Sequence, residues 1–184
     1  MLIPRLVLGL FCLVLLMGAV YGQVPGGGEV VGMIGYGRFG DDEGSLGNGL
    51  CLGGGAGYTF SSRVGMEVVV ETLNYSRDFD SSARFEGETL TVVANVLYYF
   101  SAKRTRPYVL GGVGLLHSTR RSEFRFEEGT ERFSFTDDRW AFNLGSGVRI
   151  GVSERFAVRP EFRVLIGRGL LNVLQGSVGF VYDW

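Results

Sequence analysis

The sequence predicts an all-β fold, an eight-stranded antiparallel up-and-down transmembrane β-barrel. Three observations support it: segments in which apolar and polar residues alternate, regular spacing of these segments, and alternation of short and long links between them. Alternation with a period of two is typical of strands, because successive side chains point to opposite sides of a sheet.

The alternating segments are about ten to twelve residues long, and polar residues, glycine or proline bound each of them. They predict strands at 29–38, 49–60, 63–75, 88–100, 107–120, 139–150, 155–166 and 172–184. The seventh is the clearest, with Phe162 and Val164 on one side and Arg159, Glu161 and Arg163 on the other. Strands three, four and six repeat this pattern, whereas strands one, two and five are rich in glycine and their facing stays undecided.

The eighth segment also has one apolar side. Its apolar side holds Val178, Phe180, Tyr182 and Trp184, and its other side holds Ser177, Gly179, Val181 and Asp183. A tyrosine and a tryptophan at the end of a strand suit a membrane–water interface, where amphipathic rings settle.

We predict that the apolar face of each strand contacts lipid and that the other face lines the lumen. The apolar faces carry aromatic residues at segment ends, while the opposite faces are rich in Gly, Ser, Thr, Asn and charge. Small residues suit a narrow lumen and bulky ones suit lipid. A soluble barrel such as a lipocalin would have the reverse arrangement, and the glycine content and β-branched runs disfavour a helical bundle.

The links between the predicted strands indicate an orientation. Those after strands two, four and six are short, whereas 39–48, 76–87 and 121–138 are long and charged. Short periplasmic turns and long extracellular loops are the layout of outer-membrane barrels. An even number of strands then places both termini on the periplasmic side.

Residues 1–22 are predicted to be a secretory signal peptide, so that 23–184 would form the barrel domain. Arg5 precedes an apolar run from Leu6 to Met17, which is shorter than the roughly 20 residues of a spanning helix. The one cysteine after this segment, Cys51, cannot form an intramolecular disulfide. The formal net charge is −1 and no basic face stands out, so no nucleic-acid partner is indicated.

The closing segment carries a resemblance to a known family. Ser177-x-Gly179-x-x-Tyr182-x-Trp184 resembles the assembly signal of the small eight-stranded outer-membrane barrels, the family of the OmpA membrane domain and OmpX, and 106–114 resembles their fifth strand. The resemblance covers the whole predicted mature length. It implies a monomer in contact with outer-membrane lipid and lipopolysaccharide, which the secretion and barrel-assembly machineries handle during biogenesis.

Charged residues on the predicted inner faces indicate a plugged lumen. Eight strands enclose a space about wide enough for side chains to fill, and buried charges must be paired or solvated. We therefore predict a lumen ion-pair network of Glu67, Glu71, Arg149, Arg159, Glu161 and Arg163. A narrow ion-conducting channel is the alternative.

The longest predicted link, 121–138, has two alternating arms around a glycine-containing turn, which indicates a hairpin that extends strands five and six. Its aromatic residues are Phe124, Phe126, Phe133 and Phe135. They form a candidate surface for adhesion or for an extracellular partner. Alternatively, the loop packs its own aromatic residues across the barrel mouth.

An enzymatic alternative rests on the single histidine. Some eight-stranded outer-membrane barrels hydrolyse lipid A acyl chains with serine, histidine and a carboxylate on the lipid-facing surface. Ser118 follows His117 directly and so faces the opposite side of a regular strand, and Thr119, which shares the face of His117, would be an unusual nucleophile. With no metal, phosphate-loop or paired-cysteine motif in the sequence, no cofactor is expected, and a non-enzymatic structural or surface-interaction role is predicted.

Overall fold

The computed structural model describes residues 27–41, 44–80, 83–126, 129–167 and 172–184. The predicted signal peptide, 1–22, lies outside these ranges. Eight strands are present: β1 (Gly27–Asp41), β2 (Gly44–Thr59), β3 (Val64–Asp80), β4 (Ala83–Tyr99), β5 (Thr105–Phe126), β6 (Gly129–Gly151), β7 (Phe156–Gly167) and β8 (Asn172–Asp183).

The strands form one closed antiparallel barrel in sequence order. Each strand pairs with the next along the chain, and β1 pairs with β8 from Glu29↔Asp183 to Gly40↔Asn172. Closure leaves no sheet edge in the barrel wall. Within the described ranges, no helix is long and apolar enough to cross a membrane. The predicted fold class is confirmed.

The two faces of the barrel wall differ as predicted. Large apolar side chains such as Phe142 and Phe162 are exposed on the outer face of every strand, whereas Glu67, Arg159 and Arg163 are buried inside. This is the reverse of a soluble barrel, so the predicted facing of strands three, four, six, seven and eight is confirmed. Odd-numbered residues of β1 and β2 and even-numbered residues of β5 face inwards, which settles the three glycine-rich strands.

Three predicted links are short turns, and together they define one end of the barrel, which we call the turn rim (residues 60–63, 100–104 and 152–155). Serine hydroxyls support two of them, because Ser61 Oγ accepts a hydrogen bond from Val64 N and Ser153 Oγ accepts one from Phe156 N, both at 3.1 Å. Such bonds replace backbone partners that a tight turn cannot provide. Exposed aromatic side chains surround this rim: Phe60, Tyr98, Phe100, Phe156 and Trp184.

At the opposite end, the three links predicted to be long are mostly continuations of the strands, including the hairpin predicted at 121–138. Most of 39–48, 76–87 and 121–138 belongs to strands, and β5 and β6 reach 22 and 23 residues. These outer parts of the strands are rich in charged residues, and cross-strand pairing continues through them, as in Arg84↔Glu123 and Glu123↔Arg132. We call this end the hairpin rim.

Candidate functional site

The six charged residues predicted for the lumen all lie inside the barrel and are buried. Their inward positions follow from strand parity, and the register of the closed barrel brings β3, β6 and β7 side chains together. Arg159 and Arg163 are completely inaccessible to solvent. A guanidinium group in such a place requires carboxylate partners, because removing it from water is costly.

Arg159 is the centre of the half of the network nearer the turn rim. Its Nη1 lies 2.7 Å from Glu67 Oε2 and 3.6 Å from Glu29 Oε1, and its Nε lies 3.5 Å from Glu161 Oε2. Asn95 Nδ2 donates a hydrogen bond to Glu67 Oε1 at 3.0 Å. One arginine thus links carboxylates from three strands.

Arg163 lies one layer further from the turn rim. Its Nε donates to Glu161 Oε1 at 2.6 Å, and its Nη1 donates to Glu71 Oε2 at 3.3 Å. Gln175 Nε2 also donates to Glu71 Oε2, at 3.3 Å. Glu161 accepts a further hydrogen bond from the Tyr108 hydroxyl. Arg159 and Arg163 therefore share Glu161.

Arg149 completes the network at the turn rim. Its Nη2 donates to Asp183 Oδ2 at 2.6 Å, and its Nε lies 3.6 Å from Glu29 Oε2. The sequence analysis missed Glu29, which lies on a strand of undecided facing. It also missed Asp183, although parity had placed this residue on the inner face. In the described residues, five carboxylates therefore meet three guanidinium groups.

The half of the lumen nearer the hairpin rim contains a large apolar cluster, which the sequence analysis did not predict. Its buried members are Phe39, Cys51, Leu73, Tyr75, Val93, Leu116, Ala141, Leu165 and Val173. The Phe39 and Tyr75 rings stack with centroids 4.7 Å apart, and the Arg120 guanidinium lies over Phe39 at 5.5 Å. The lumen thus has a charged layer and an apolar layer in series.

Strands β3 to β6 continue past the apolar layer as a projecting sheet. β5 pairs with β6 as far as Phe126↔Gly129, so the predicted hairpin is present. Phe133 and Phe135 are 59% and 63% exposed. The backbone register puts positions 124 and 126 on the same face of the hairpin as Phe133 and Phe135. The side chains of Phe124 and Phe126 lie outside the described part.

The exposed apolar side chains form a band around the barrel, which we call the apolar belt and which on β5 includes Val109, Val113 and Leu115. His117 lies on the outer face, beyond this belt. Its Nδ1 is 2.5 Å from Asp138 Oδ1 on β6. Ser118 points into the lumen, where its hydroxyl accepts a hydrogen bond from Thr89 Oγ1 at 3.2 Å. Thr119 Oγ1 lies 3.5 Å from Thr136 Oγ1. A regular strand thus separates the imidazole from the serine, and the described residues include no group of three or more His, Cys, Asp or Glu side chains that could hold a metal ion.

The four residues of the predicted assembly signal all lie on β8 or directly after it. Ser177 and Gly179 face the lumen, while Tyr182 and Trp184 lie on the outer side at the turn rim. The Trp184 backbone N–H donates to Gly28 O at 3.1 Å, and a Cβ on Gly28 would come within 2.5 Å of the Trp184 ring. Their recognition by the assembly machinery stays a prediction.

Comparisons with known proteins agree with this architecture. A family model described as "Outer membrane protein beta-barrel domain" matches residues 8–183. Among solved structures, Neisserial surface protein A aligns with a TM-score of 0.65 at 13% identity, covering 85% of this chain and 97% of that one. Ail, the attachment invasion locus protein of Yersinia pestis, aligns with a TM-score of 0.59 at 13% identity, covering 88% and 100%.

A second structure of Ail, in complex with the heparin analogue sucrose octasulfate, aligns with a TM-score of 0.56 at 16% identity, covering 86% of this chain and 99% of that one. At these identities the structural likeness shows a shared fold. A search of curated proteins found no match.

Proposed function

Because the chain belongs to the family of outer-membrane protein β-barrel domains, we propose that it is a non-enzymatic surface-interaction protein with a sealed lumen. In this proposal the turn rim faces the periplasm and the projecting sheet of β3 to β6 faces the cell exterior, as the contrast between short turns and long hairpins favours. The observation that carries the proposal is the combination of a filled lumen with a long hairpin on which the side chains of Phe133 and Phe135 are exposed.

The filled lumen supports a structural barrel over a diffusion pore. Arg159 and Arg163 occupy the charged layer without solvent access, and Phe39 and Tyr75 stack in the apolar layer. An ion crossing the barrel would have to displace paired charges and then enter an apolar zone, and each step costs solvation energy.

We expect no steady conductance from the protein in planar bilayers. The double variant Phe39→Ala/Tyr75→Ala should also stay closed, because the charged layer still fills the bore. Single-channel recording of both proteins at several voltages measures this. A steady nanosiemens-scale step from the wild type would contradict a sealed lumen and favour the narrow-channel alternative.

The projecting sheet supports a role in surface binding. In the described residues, β7 pairs with β6 only as far as Ala141↔Gly167, so β6 from Gly129 to Trp140 pairs on one side only, with β5. A strand edge of this kind can accept a strand from another protein, and nearby exposed aromatic side chains can add contact area. The similar fold of Ail, an attachment protein with a structure bound to a heparin analogue, is consistent with such a role.

Removal of the hairpin tip tests this role. Thr119 and Thr136 are register partners, so an Asn-Gly turn in place of residues 120–135 can close the shortened hairpin. We expect the variant to assemble but to lose the adherence of expressing bacteria to epithelial monolayers and to immobilised heparin, down to the level of cells without the protein.

The double variant Phe133→Ser/Phe135→Ser is the matched control for this experiment, because it keeps the strand edge and removes two exposed rings. A partial loss of adherence would assign part of the binding to the rings. Full adherence by the shortened variant would show that the hairpin is not the binding surface.

The geometry does not favour the lipid A hydrolase alternative. His117 has a carboxylate partner in Asp138, but the neighbouring serine hydroxyl faces the lumen and bonds to Thr89. A hydrolase of this type needs its nucleophile within hydrogen-bond reach of the base. The His117–Asp138 contact instead joins β5 to β6 where the hairpin leaves the apolar belt.

A further inference from the structure

The turn rim carries an excess of positive charge. Each of its three turns has at least one basic side chain, and the set is Arg63, Lys103, Arg104 and Arg155. Glu154 is the one acidic side chain in these three turns. All of these residues are exposed. We call the four basic residues the basic rim.

On the outer face of the hairpin rim, the residues whose side chains are described show no comparable excess of basic groups. Exposed residues of both signs follow the apolar belt there, including Arg38, Glu86, Glu88 and Asp138. Among the described side chains, an excess of exposed basic groups is therefore found at the turn rim and not at the hairpin rim.

Exposed rings place the basic rim at the level of lipid headgroups. Phe60, Phe100 and Trp184 are 47%, 58% and 54% exposed at the ends of the strands that the basic turns connect. Aromatic belts mark the membrane–water interface, and basic side chains beside them extend towards headgroup phosphates.

The backbone holds the basic turns in fixed positions. Arg63 O accepts a hydrogen bond from Tyr99 N, and Arg155 O accepts one from Asp183 N, both at 2.8 Å. Arg104 joins two turns, since its Nε donates to Gly151 O at 2.6 Å and its Nη2 donates to Val152 O.

The other three basic side chains are available to a ligand. No described residue forms an ion pair with Arg63, Lys103 or Arg155, in contrast to the three lumen arginines.

We propose that the basic rim binds the phosphate groups of anionic glycerophospholipids, so that such lipids are enriched around this end of the barrel. The inference rests on the proposed membrane orientation, in which this end faces the periplasmic leaflet. Charge complementarity supports it, because each basic residue near a membrane surface strengthens the attraction to anionic lipid by about fivefold.

Trp184 provides a reporter at the basic rim. The chain contains two tryptophans, Trp140 and Trp184, and Trp140 lies at the opposite end of the apolar belt. The Trp140→Phe variant therefore leaves one indole beside the turn that contains Arg155. We would reconstitute it in phosphatidylcholine vesicles with a minor fraction of brominated-chain phosphatidylglycerol, or with the same fraction of brominated-chain phosphatidylcholine, and measure the quenching of Trp184 fluorescence.

We expect brominated phosphatidylglycerol to quench severalfold more strongly than brominated phosphatidylcholine, and added salt to reduce the difference. In the Trp140→Phe background, Arg63→Gln/Lys103→Gln/Arg155→Gln should make the two lipids equal. Glu154→Gln is the matched control, because it removes the rim's acidic side chain and should preserve or increase the preference.

Equal quenching by the two lipids before the basic residues are changed would overturn the proposal, as would a preference that survives the triple substitution. Equal quenching together with retention on purified peptidoglycan would overturn it in favour of a polymer ligand. If neither lipid quenched Trp184, membrane insertion itself would fail, and with it the function proposed above.

Discussion

Arg159→Met is expected to lower the free energy of unfolding by about 3–5 kcal/mol, the cost of removing one partner from a buried ion pair. Methionine fills a similar volume, so the effect comes from charge. Glu67, Glu161 and Glu29 would lose the guanidinium that they share. Because carboxylates already outnumber guanidinium groups in the lumen, the remaining arginines cannot compensate for this loss.

Urea unfolding in a zwitterionic detergent, followed by the difference in migration between unheated and boiled samples, measures this cost. Arg155→Met is the matched control, since it makes the same chemical change at an exposed position and should shift stability by no more than about 0.5 kcal/mol. Adding Glu67→Gln to Arg159→Met should recover part of the loss. Equal stability of Arg159→Met and the wild type would mean that the charged layer contributes nothing to the fold.

Gly112→Ala is expected to destabilise the barrel by about 1–3 kcal/mol through overpacking. A Cβ at Gly112 would lie 2.2 Å from Ala94 O and 2.3 Å from Asn95 Oδ1. Relief requires movement of β4 relative to β5, and it would disturb the hydrogen bond that Asn143 Nδ2 donates to Asn95 Oδ1 at 2.8 Å. The same urea titration reports the effect.

The preceding residue provides the control. Gly111 faces outwards, and a Cβ there would meet only Leu144 Cδ2, at 3.7 Å. Gly111→Ala should therefore be neutral or stabilise the strand by about 0.5–1 kcal/mol, because alanine loses less backbone entropy than glycine on folding. If Gly112→Ala and Gly111→Ala had equal stability, close packing around position 112 would not be the reason for the glycine there.

Strand parity predicted the facing of the barrel wall where apolar and polar residues alternate strictly. In β7, Phe162 lies outside and Arg163 inside, as the pattern requires. The alternating arms of 121–138 predicted a hairpin that extends β5 and β6, but parity alone could not give its length or its pairing as far as Phe126↔Gly129. Its strand structure comes from pairing between the two chain segments.

The contents of the lumen were only partly predictable. Arg159 and Glu67 are 92 positions apart, and only the barrel register shows that they are partners. Phe39 and Cys51 lie on glycine-rich strands whose facing the sequence left undecided, so the apolar layer was missed. A pattern along one strand identifies a face, but opposing residues across the bore become neighbours only after closure.

The pairing of β1 with β8 has a kinetic consequence. All other neighbouring strands in the sheet are consecutive along the chain, so each such pair can form as a local hairpin with a small loss of loop entropy. The pairing of β1 with β8, from Glu29↔Asp183 to Gly40↔Asn172, joins segments that are far apart in the sequence. Its contacts can form only after the sheet of the intervening strands has curved into a barrel. We therefore expect the pairing of β1 with β8 to be the last step of assembly.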